Sequence, residues 1–115
     1  LPAPSNPETR HIINAAAIAA MQTTAVIVNT ARGDLIDTKA LAAALTEGRL
    51  GGAALDVFET EPLPDNDPLR AAPNLILTPH SAWYSQGAIA RLQTLAADEI
   101  ARALSGRPPR RAVPG

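Results

Sequence analysis

Three short apolar segments, each with a polar or charged residue at or next to its end, constrain the fold of this chain more than any other feature of its sequence. They cover residues 25–29, 52–57 and 75–78. In the first, Val26, Ile27 and Val28 are contiguous, which is typical of a strand whose sheet is covered on both faces. Because helical patterns separate the segments, the sequence predicts an α/β fold with parallel strands joined by helical crossovers.

The helices have recognisable start and stop signals. Asn14 and Asp37 are candidate N-caps, and Gly48 suits the left-handed position that ends a helix. Leu41, Ala44 and Leu45 share one face of the second helix. The helices are expected at residues 15–22, 38–47 and 86–105, with a loop rich in proline and aspartate at 59–73.

This set of elements resembles only part of a nucleotide-binding domain. The segment 1–7 contains three prolines and cannot hold regular structure, and no Gly-x-Gly-x-x-Gly loop occurs in the chain. Since dinucleotide sites are built from two mononucleotide-binding halves, we expect the second half of a Rossmann-type doubly wound parallel sheet with a long C-terminal helix. The predicted division is 1–106 for this half-domain with its final helix and 107–115 for a Pro/Arg-rich tail.

Composition excludes several classes of function. The formal net charge of −1 argues against general affinity for nucleic acid or acidic membranes. Zero cysteines exclude disulfides and thiolate metal sites and fit a reducing compartment. The sequence has no apolar run long enough to span a bilayer, so we expect a soluble, cytoplasmic protein. The basic tail, residues 107–111, is expected to be solvated rather than to form a binding patch.

Candidate site residues follow the ends of the three segments. Parallel strands end at a common edge, where open α/β sheets bind ligands. Arg32 can hold a carboxylate through its planar fork, although pairing with a nearby aspartate is equally compatible with the local sequence. His80 can exchange protons near neutrality if a carboxylate orients its ring. Glu59 and Glu61 are the candidates for that carboxylate, although each taken alone fits a solvated acidic loop better.

Three further residues have alternative interpretations. Asp56 needs partners at the end of an apolar run, and either a bound nicotinamide amide or a turn within the loop could supply them. Trp83 could line a small apolar pocket or could simply pack. His11 has no charged partner in its local sequence that suggests a site, so we expect it to be structural.

The motifs together resemble one family. Residues 29–33 (Asn-Thr-Ala-Arg-Gly), 53–63 (Ala-Ala-Leu-Asp-Val-Phe-Glu-Thr-Glu-Pro-Leu) and 78–80 (Thr-Pro-His) resemble the signatures of the D-isomer-specific 2-hydroxyacid dehydrogenases. Residues 7–14 resemble the segment that precedes these signatures. Residues 80–85 resemble the branch that contains the C-terminal-binding-protein corepressors and similar bacterial dehydrogenases.

The resemblance implies a role for each matching residue. Arg32 would bind the substrate carboxylate, His80 would exchange a proton with the substrate oxygen, and Glu61 would keep His80 protonated. Asp56 would contact the nicotinamide carboxamide, and Trp83 would border the substrate pocket. The residues expected along the cofactor are Pro4, Thr9, Thr30 and Ala31. The cofactor would be NAD, but the residue that reads the ribose, which separates NAD from NADP, is not identifiable in this chain.

The implied protein is an oxidoreductase that transfers hydride between nicotinamide and a small 2-hydroxy or 2-keto acid. A homodimer follows from the same resemblance. Family members are roughly three times as long as this chain, so by itself the chain is expected neither to bind dinucleotide tightly nor to turn over. Two alternatives stay open: an NAD(H)-sensing corepressor-like assembly protein and an inactive fragment.

Overall fold

The first part of the chain is built on a parallel sheet. The structure, a computed structural model, describes residues 3–110 and divides into two units, the first ending at Ala82 and the second beginning at Trp83. In the first unit, strands β1 (Val26–Asn29), β2 (Gly52–Leu55) and β3 (Leu75–Leu77) lie in that order and run parallel. The predicted α/β class with parallel strands is therefore confirmed, and all three strands end at one edge of the sheet.

Two capped helices pack beside the sheet. In α1 (Ala15–Ala19) the Asn14 side chain accepts a hydrogen bond from the Ala17 amide at 3.0 Å. In α2 (Thr38–Thr46) the Asp37 side chain accepts from the Ala40 amide at 3.1 Å. Both predicted N-caps are confirmed, and Gly48 has the expected left-handed φ of 65°. α1 ends sooner than predicted, at Ala19, because Ala20 already lies in its C-cap.

The core of the first unit lies on one face of the sheet. Ile27, Ala53 and Leu55 face Leu41 and the other buried residues of α1 and α2. On the opposite face Val26, Val28 and Ile76 are 62%, 53% and 66% exposed. The alternation of a strand sends successive side chains to opposite faces, and the helices of this unit cover only one of them. The prediction that the sheet is covered on both faces stays a prediction for the other face.

The two crossovers differ. β1 and β2 are joined through α2, as predicted. The connection from β2 to β3 contains only a short 3-10 helix, Pro68–Ala71, whose N-cap Asp67 accepts from the Leu69 amide at 2.9 Å. Leu69 is 2% exposed and packs in the core, so a single buried side chain anchors a connection that was expected to be a plain loop.

The second unit contains the long helix α3 (Gln86–Leu104), which begins at the N-cap Ser85. Its bounds match the predicted 86–105 closely. Arg110 forms ion pairs with Asp98 and Glu99 of this helix, at 3.1 and 3.4 Å. The remainder of the predicted tail, 111–115, lies outside the described residues. No helix within residues 3–110 is both long and apolar enough to cross a membrane.

Candidate active site

His80 and Glu61 form a hydrogen-bonded pair at the carboxyl edge of the sheet. The His80 Nδ1 atom lies 2.7 Å from Glu61 Oε2, with both side chains about half exposed. His80 adopts a left-handed φ of 53°, which is uncommon for a residue with a side chain. Its amide donates to the carbonyls of Asp56 and Thr78 at 2.8 and 3.0 Å, which holds it in this conformation.

Glu61 is oriented by its own loop as well as by the histidine. Its second oxygen, Oε1, accepts a hydrogen bond from the Phe58 amide at 3.0 Å. The hydrogen bond with His80, followed by that from Phe58, holds the pKa of Glu61 below its ordinary value. An ionised carboxylate therefore faces Nδ1, which favours a proton on that nitrogen and orients the ring. Of the two glutamates that the sequence proposed for this position, the structure places Glu61 there.

Asp56 lies beneath the histidine turn and is 4% exposed. Its carboxylate accepts hydrogen bonds from the Thr78 hydroxyl and from the amides of Ser81 and Ala82, the last two at 2.8 and 2.9 Å. Burial alone would raise the pKa of Asp56, but these three hydrogen bonds together hold it below its ordinary value. Of the two sequence interpretations, the structure gives Asp56 the turn-forming partners.

Arg32 follows β1 on a turn that is fixed by a buried asparagine. Asn29, 1% exposed, donates through its side chain to the Arg32 carbonyl at 2.8 Å and accepts from the Ala31 amide at 3.1 Å. The guanidinium of Arg32 donates to the Ala31 carbonyl at 2.7 Å, and within residues 3–110 it forms no ion pair with Asp34 or Asp37. Asn29 was not among the predicted site residues, although a polar residue at the end of an apolar strand is a pattern that could have indicated it.

A cavity of about 410 Å³ brings the three candidate catalytic side chains together. Arg32, Glu61 and His80 all line it, with Ser5 and Asp34 among the other lining residues. A guanidinium and an imidazole at one opening can together bind a carboxylate and move a proton. None of the described residues form a cluster of three or more His, Cys, Asp or Glu side chains suited to a metal ion.

A neighbouring cavity of about 500 Å³ contains most of the residues expected along the cofactor. Pro4, Thr30 and Ala31 line it, and Ser5 and Arg32 line both cavities. Thr9 acts differently, since its hydroxyl donates to the Pro4 carbonyl at 2.7 Å and so fixes the loop that carries Pro4. Apart from Arg32, the described residues that line this second cavity have small side chains.

Trp83 belongs to the second unit. Its ring meets that of Tyr84 edge-on, with ring centroids 5.4 Å apart. The expectation that Trp83 borders the substrate pocket therefore stays a prediction.

Gly33 sets the spacing between the loop that carries Arg32 and the loop that carries Glu61. A Cβ atom at Gly33 would lie 1.9 Å from the carbonyl carbon of Phe58 and 2.5 Å from the Glu59 amide nitrogen. Both neighbours are backbone atoms, so no side chain can move aside. The two loops can approach this closely only because residue 33 has no side chain.

Replacing Gly33 with alanine is therefore expected to lower the free energy of unfolding by about 3 kcal/mol. Urea denaturation followed by circular dichroism measures this. Gly48→Ala is the matched control, because its Cβ would meet nothing within 4 Å and only the φ of 65° is strained. We expect that control to cost about 1 kcal/mol. Equal losses in the two variants would contradict the close approach.

The chain is similar to known proteins over most of its length. The family model described as "D-isomer specific 2-hydroxyacid dehydrogenase, NAD binding domain" matches residues 1–82. A glyoxylate reductase of Thermofilum pendens is 47% identical over 106 residues, which are 92% of this chain and 31% of that protein. A D-3-phosphoglycerate dehydrogenase of Methanocaldococcus jannaschii is 50% identical over 103 residues, 90% of this chain and 20% of that protein.

A solved structure agrees with the sequence matches. The NAD-complexed D-isomer specific 2-hydroxyacid dehydrogenase of Lactobacillus delbrueckii ssp. bulgaricus superposes with a TM-score of 0.83 and 31% identity. The match covers 96% of this chain and 38% of that one. The chain thus spans between 20% and 38% of the length of these relatives.

Proposed function

This chain belongs to the D-isomer specific 2-hydroxyacid dehydrogenases through their NAD-binding domain, and we propose that it supplies the substrate-binding and acid–base residues with which such an enzyme reduces a small 2-keto acid. The observation that carries the proposal is the shared cavity of Arg32, Glu61 and His80. Its guanidinium, imidazole and carboxylate match the needs of a substrate with one carboxylate and one carbonyl.

The proposed roles follow from the contacts of each side chain. Arg32 binds the substrate carboxylate and draws electron density from the neighbouring carbonyl. His80 gives the proton on its Nε2 atom to the carbonyl oxygen, because its Nδ1 atom is engaged by Glu61. Glu61 holds the Nδ1 side of the ring through their 2.7 Å contact and so orients Nε2 for that transfer. In the oxidative direction the same nitrogen takes the proton from the substrate hydroxyl.

The cofactor that fits beside these residues is a reduced nicotinamide dinucleotide, which when bound supplies the hydride for the carbonyl carbon. Pro4, Thr30 and Ala31 would hold its ring end in the second cavity, next to Arg32. The phosphates need a glycine-rich loop, which the sequence of this chain does not contain.

A chimera tests this proposal directly. The chain would replace its matching segment in the Thermofilum pendens glyoxylate reductase, which supplies the missing length. We expect the chimera to oxidise NADH with glyoxylate or another small 2-keto acid, followed by absorbance at the nicotinamide band. A folded chimera that binds NADH but reduces no member of a panel of 2-keto acids would overturn the proposal.

Replacing Arg32 with alanine in the chimera is expected to raise KM and lower kcat, reducing kcat/KM by about 100-fold, because charge-assisted hydrogen bonds to the substrate carboxylate are lost. Steady-state kinetics with glyoxylate measures both constants. Arg49→Ala is the matched control, since Arg49 pairs with Glu47 at 2.7 Å outside the cavity. Identical kinetic constants in the two variants would show that Arg32 does not bind substrate.

Assembly and compartment are proposed on the sequence alone. The family resemblance supports a homodimer, and the lack of cysteine supports a reducing, cytoplasmic compartment. Light scattering coupled to size-exclusion chromatography of the chimera tests the first point, and a monomeric mass would contradict it.

A further inference from the structure

A second histidine–glutamate pair lies in the same unit as the first. His11 Nε2 is 3.0 Å from Glu59 Oε2, and Arg10 lies 3.6 Å from the same oxygen. The other oxygen, Glu59 Oε1, accepts a hydrogen bond from the Thr38 amide at 3.1 Å. Glu59 therefore connects three parts of the chain: its own loop, the segment around His11 and the first turn of α2.

Both pairs are attached to one short loop. Glu59 bonds to residues 11 and 38, and Glu61, two positions later, bonds to His80. Among the hydrogen bonds of the described residues, the Glu61 side chain makes only one to its own loop, which it accepts from the Phe58 amide. The position of the Glu61 carboxylate consequently depends on the backbone at 58–60, which Glu59 ties down.

The charge on Glu59 strengthens this tie. Partial burial alone would raise the pKa of Glu59, yet the hydrogen bonds from His11 and the Thr38 amide together hold it below its ordinary value. The carboxylate is ionised at neutral pH, and it lies at the N-terminus of a nine-residue helix, where negative charge is favoured. Its hydrogen bonds are therefore charge-assisted and stronger than neutral ones.

We propose that Glu59, held by His11 and the first amide of α2, is a positioning residue that sets the distance between Glu61 and His80. The proposal rests on the proposed function for what the Glu61–His80 pair does. The positioning itself can be measured without turnover, so its failure and the failure of the dehydrogenase assignment are distinguishable.

The test is a pH titration of the Glu61 carboxyl carbon by ¹³C NMR in the 115-residue chain and in Glu59→Ala. Loss of positioning weakens the hydrogen bonds that lower the pKa of Glu61, so we expect that pKa to rise towards the ordinary value of a glutamate. Removing the charge of Glu59 would by itself do the opposite, because a like charge nearby raises a carboxyl pKa. The sign of the change therefore separates positioning from simple electrostatics.

Three further variants complete the experiment. Glu47→Ala is the charge-matched control, since Glu47 pairs only with Arg49 among the described ion pairs, and it should leave the titration of Glu61 unchanged. Glu59→Gln keeps an acceptor for the Thr38 amide and should restore most of the wild-type titration. His11→Asn removes the imidazole with a residue that tolerates the φ of 51° at this position, and it should raise the pKa of Glu61 less than Glu59→Ala does.

The amides of β1 and β2 report whether each variant keeps its fold. If they stay protected from hydrogen exchange while the pKa of Glu61 rises, Glu59 is a positioning residue. An unchanged or lowered pKa in a folded Glu59→Ala chain overturns the proposal, and Glu59 is then a purely structural anchor. If the Glu59→Ala chain does not keep its sheet, the His11→Asn chain is used instead. A raised pKa of Glu61 in that variant supports the proposal, and an unchanged or lowered pKa overturns it.

Discussion

Replacing His80 with asparagine in the chimera is expected to lower kcat by about 100- to 10,000-fold, because the reaction loses its proton donor. Asparagine is the suitable replacement. His80 has a φ of 53°, and asparagine tolerates left-handed backbone better than other residues with a side chain. The turn that ends at Ala82 should therefore keep its shape. We expect KM to change much less than kcat, since Arg32 remains to bind the carboxylate.

The double variant of His80 and Glu61 sharpens this experiment. The two side chains are hydrogen-bonded at 2.7 Å, so they should act as one unit. Adding Glu61→Gln to His80→Asn is expected to cause little further loss, as is usual for residues that act together. Steady-state kinetics of the single and double variants measures this. Near wild-type activity in the double variant would show that the acid–base group lies elsewhere.

Replacing Asp56 with alanine is expected to lower the free energy of unfolding of the chain by about 2–4 kcal/mol. The Thr78 hydroxyl and the amides of Ser81 and Ala82 all lose their acceptor. Asp56→Asn should cost less, because an amide retains one acceptor oxygen of similar shape. Urea denaturation measures both losses, and values within 0.5 kcal/mol of wild type would contradict an anchoring role.

The difference in unfolding free energy between the wild type and Asp56→Asn is expected to depend on pH. The pKa of Asp56 is lower in the folded chain than its ordinary value of 3.8, so the folded state favours the ionised form. The stability from ionisation is fully present above the unfolded pKa and is lost as the pH falls through the folded pKa. The gap in unfolding free energy between wild type and Asp56→Asn should therefore narrow from pH 7 to pH 3. A constant gap would contradict the lowered pKa.

The sequence was most informative where local signals act alone. Asn14 and Asp37 cap helices because a short polar side chain can satisfy an amide two or three residues further on, whatever the rest of the fold does. The parallel sheet followed from alternating apolar segments and helical patterns. The sequence did not show which face of β1 is buried, because contiguous apolar residues do not reveal which side of a sheet a helix will cover.

In the candidate site, too, the sequence indicated the chemical groups but not all of their partners. Residue types at the strand ends indicated Arg32 and His80 and offered both Glu59 and Glu61 as partners for the histidine, and only the family resemblance favoured Glu61. Their separation along the chain is two residues, and only the path of the loop sends one to His80 and the other to His11. His11 accordingly has a partner 48 residues away that no local pattern could reveal.

The sequence by itself therefore determined the class of fold, the caps of its helices and the chemical groups at the sheet edge, because each depends on neighbours along the chain. Only the tertiary structure decided which groups meet. In the tertiary structure the Asp56 carboxylate accepts a hydrogen bond from the Thr78 hydroxyl, and Arg32 has no carboxylate partner among the described residues. The physical reason is that hydrogen bonds between distant segments depend on distances of a few ångströms, which register and loop packing set and which residue type alone does not.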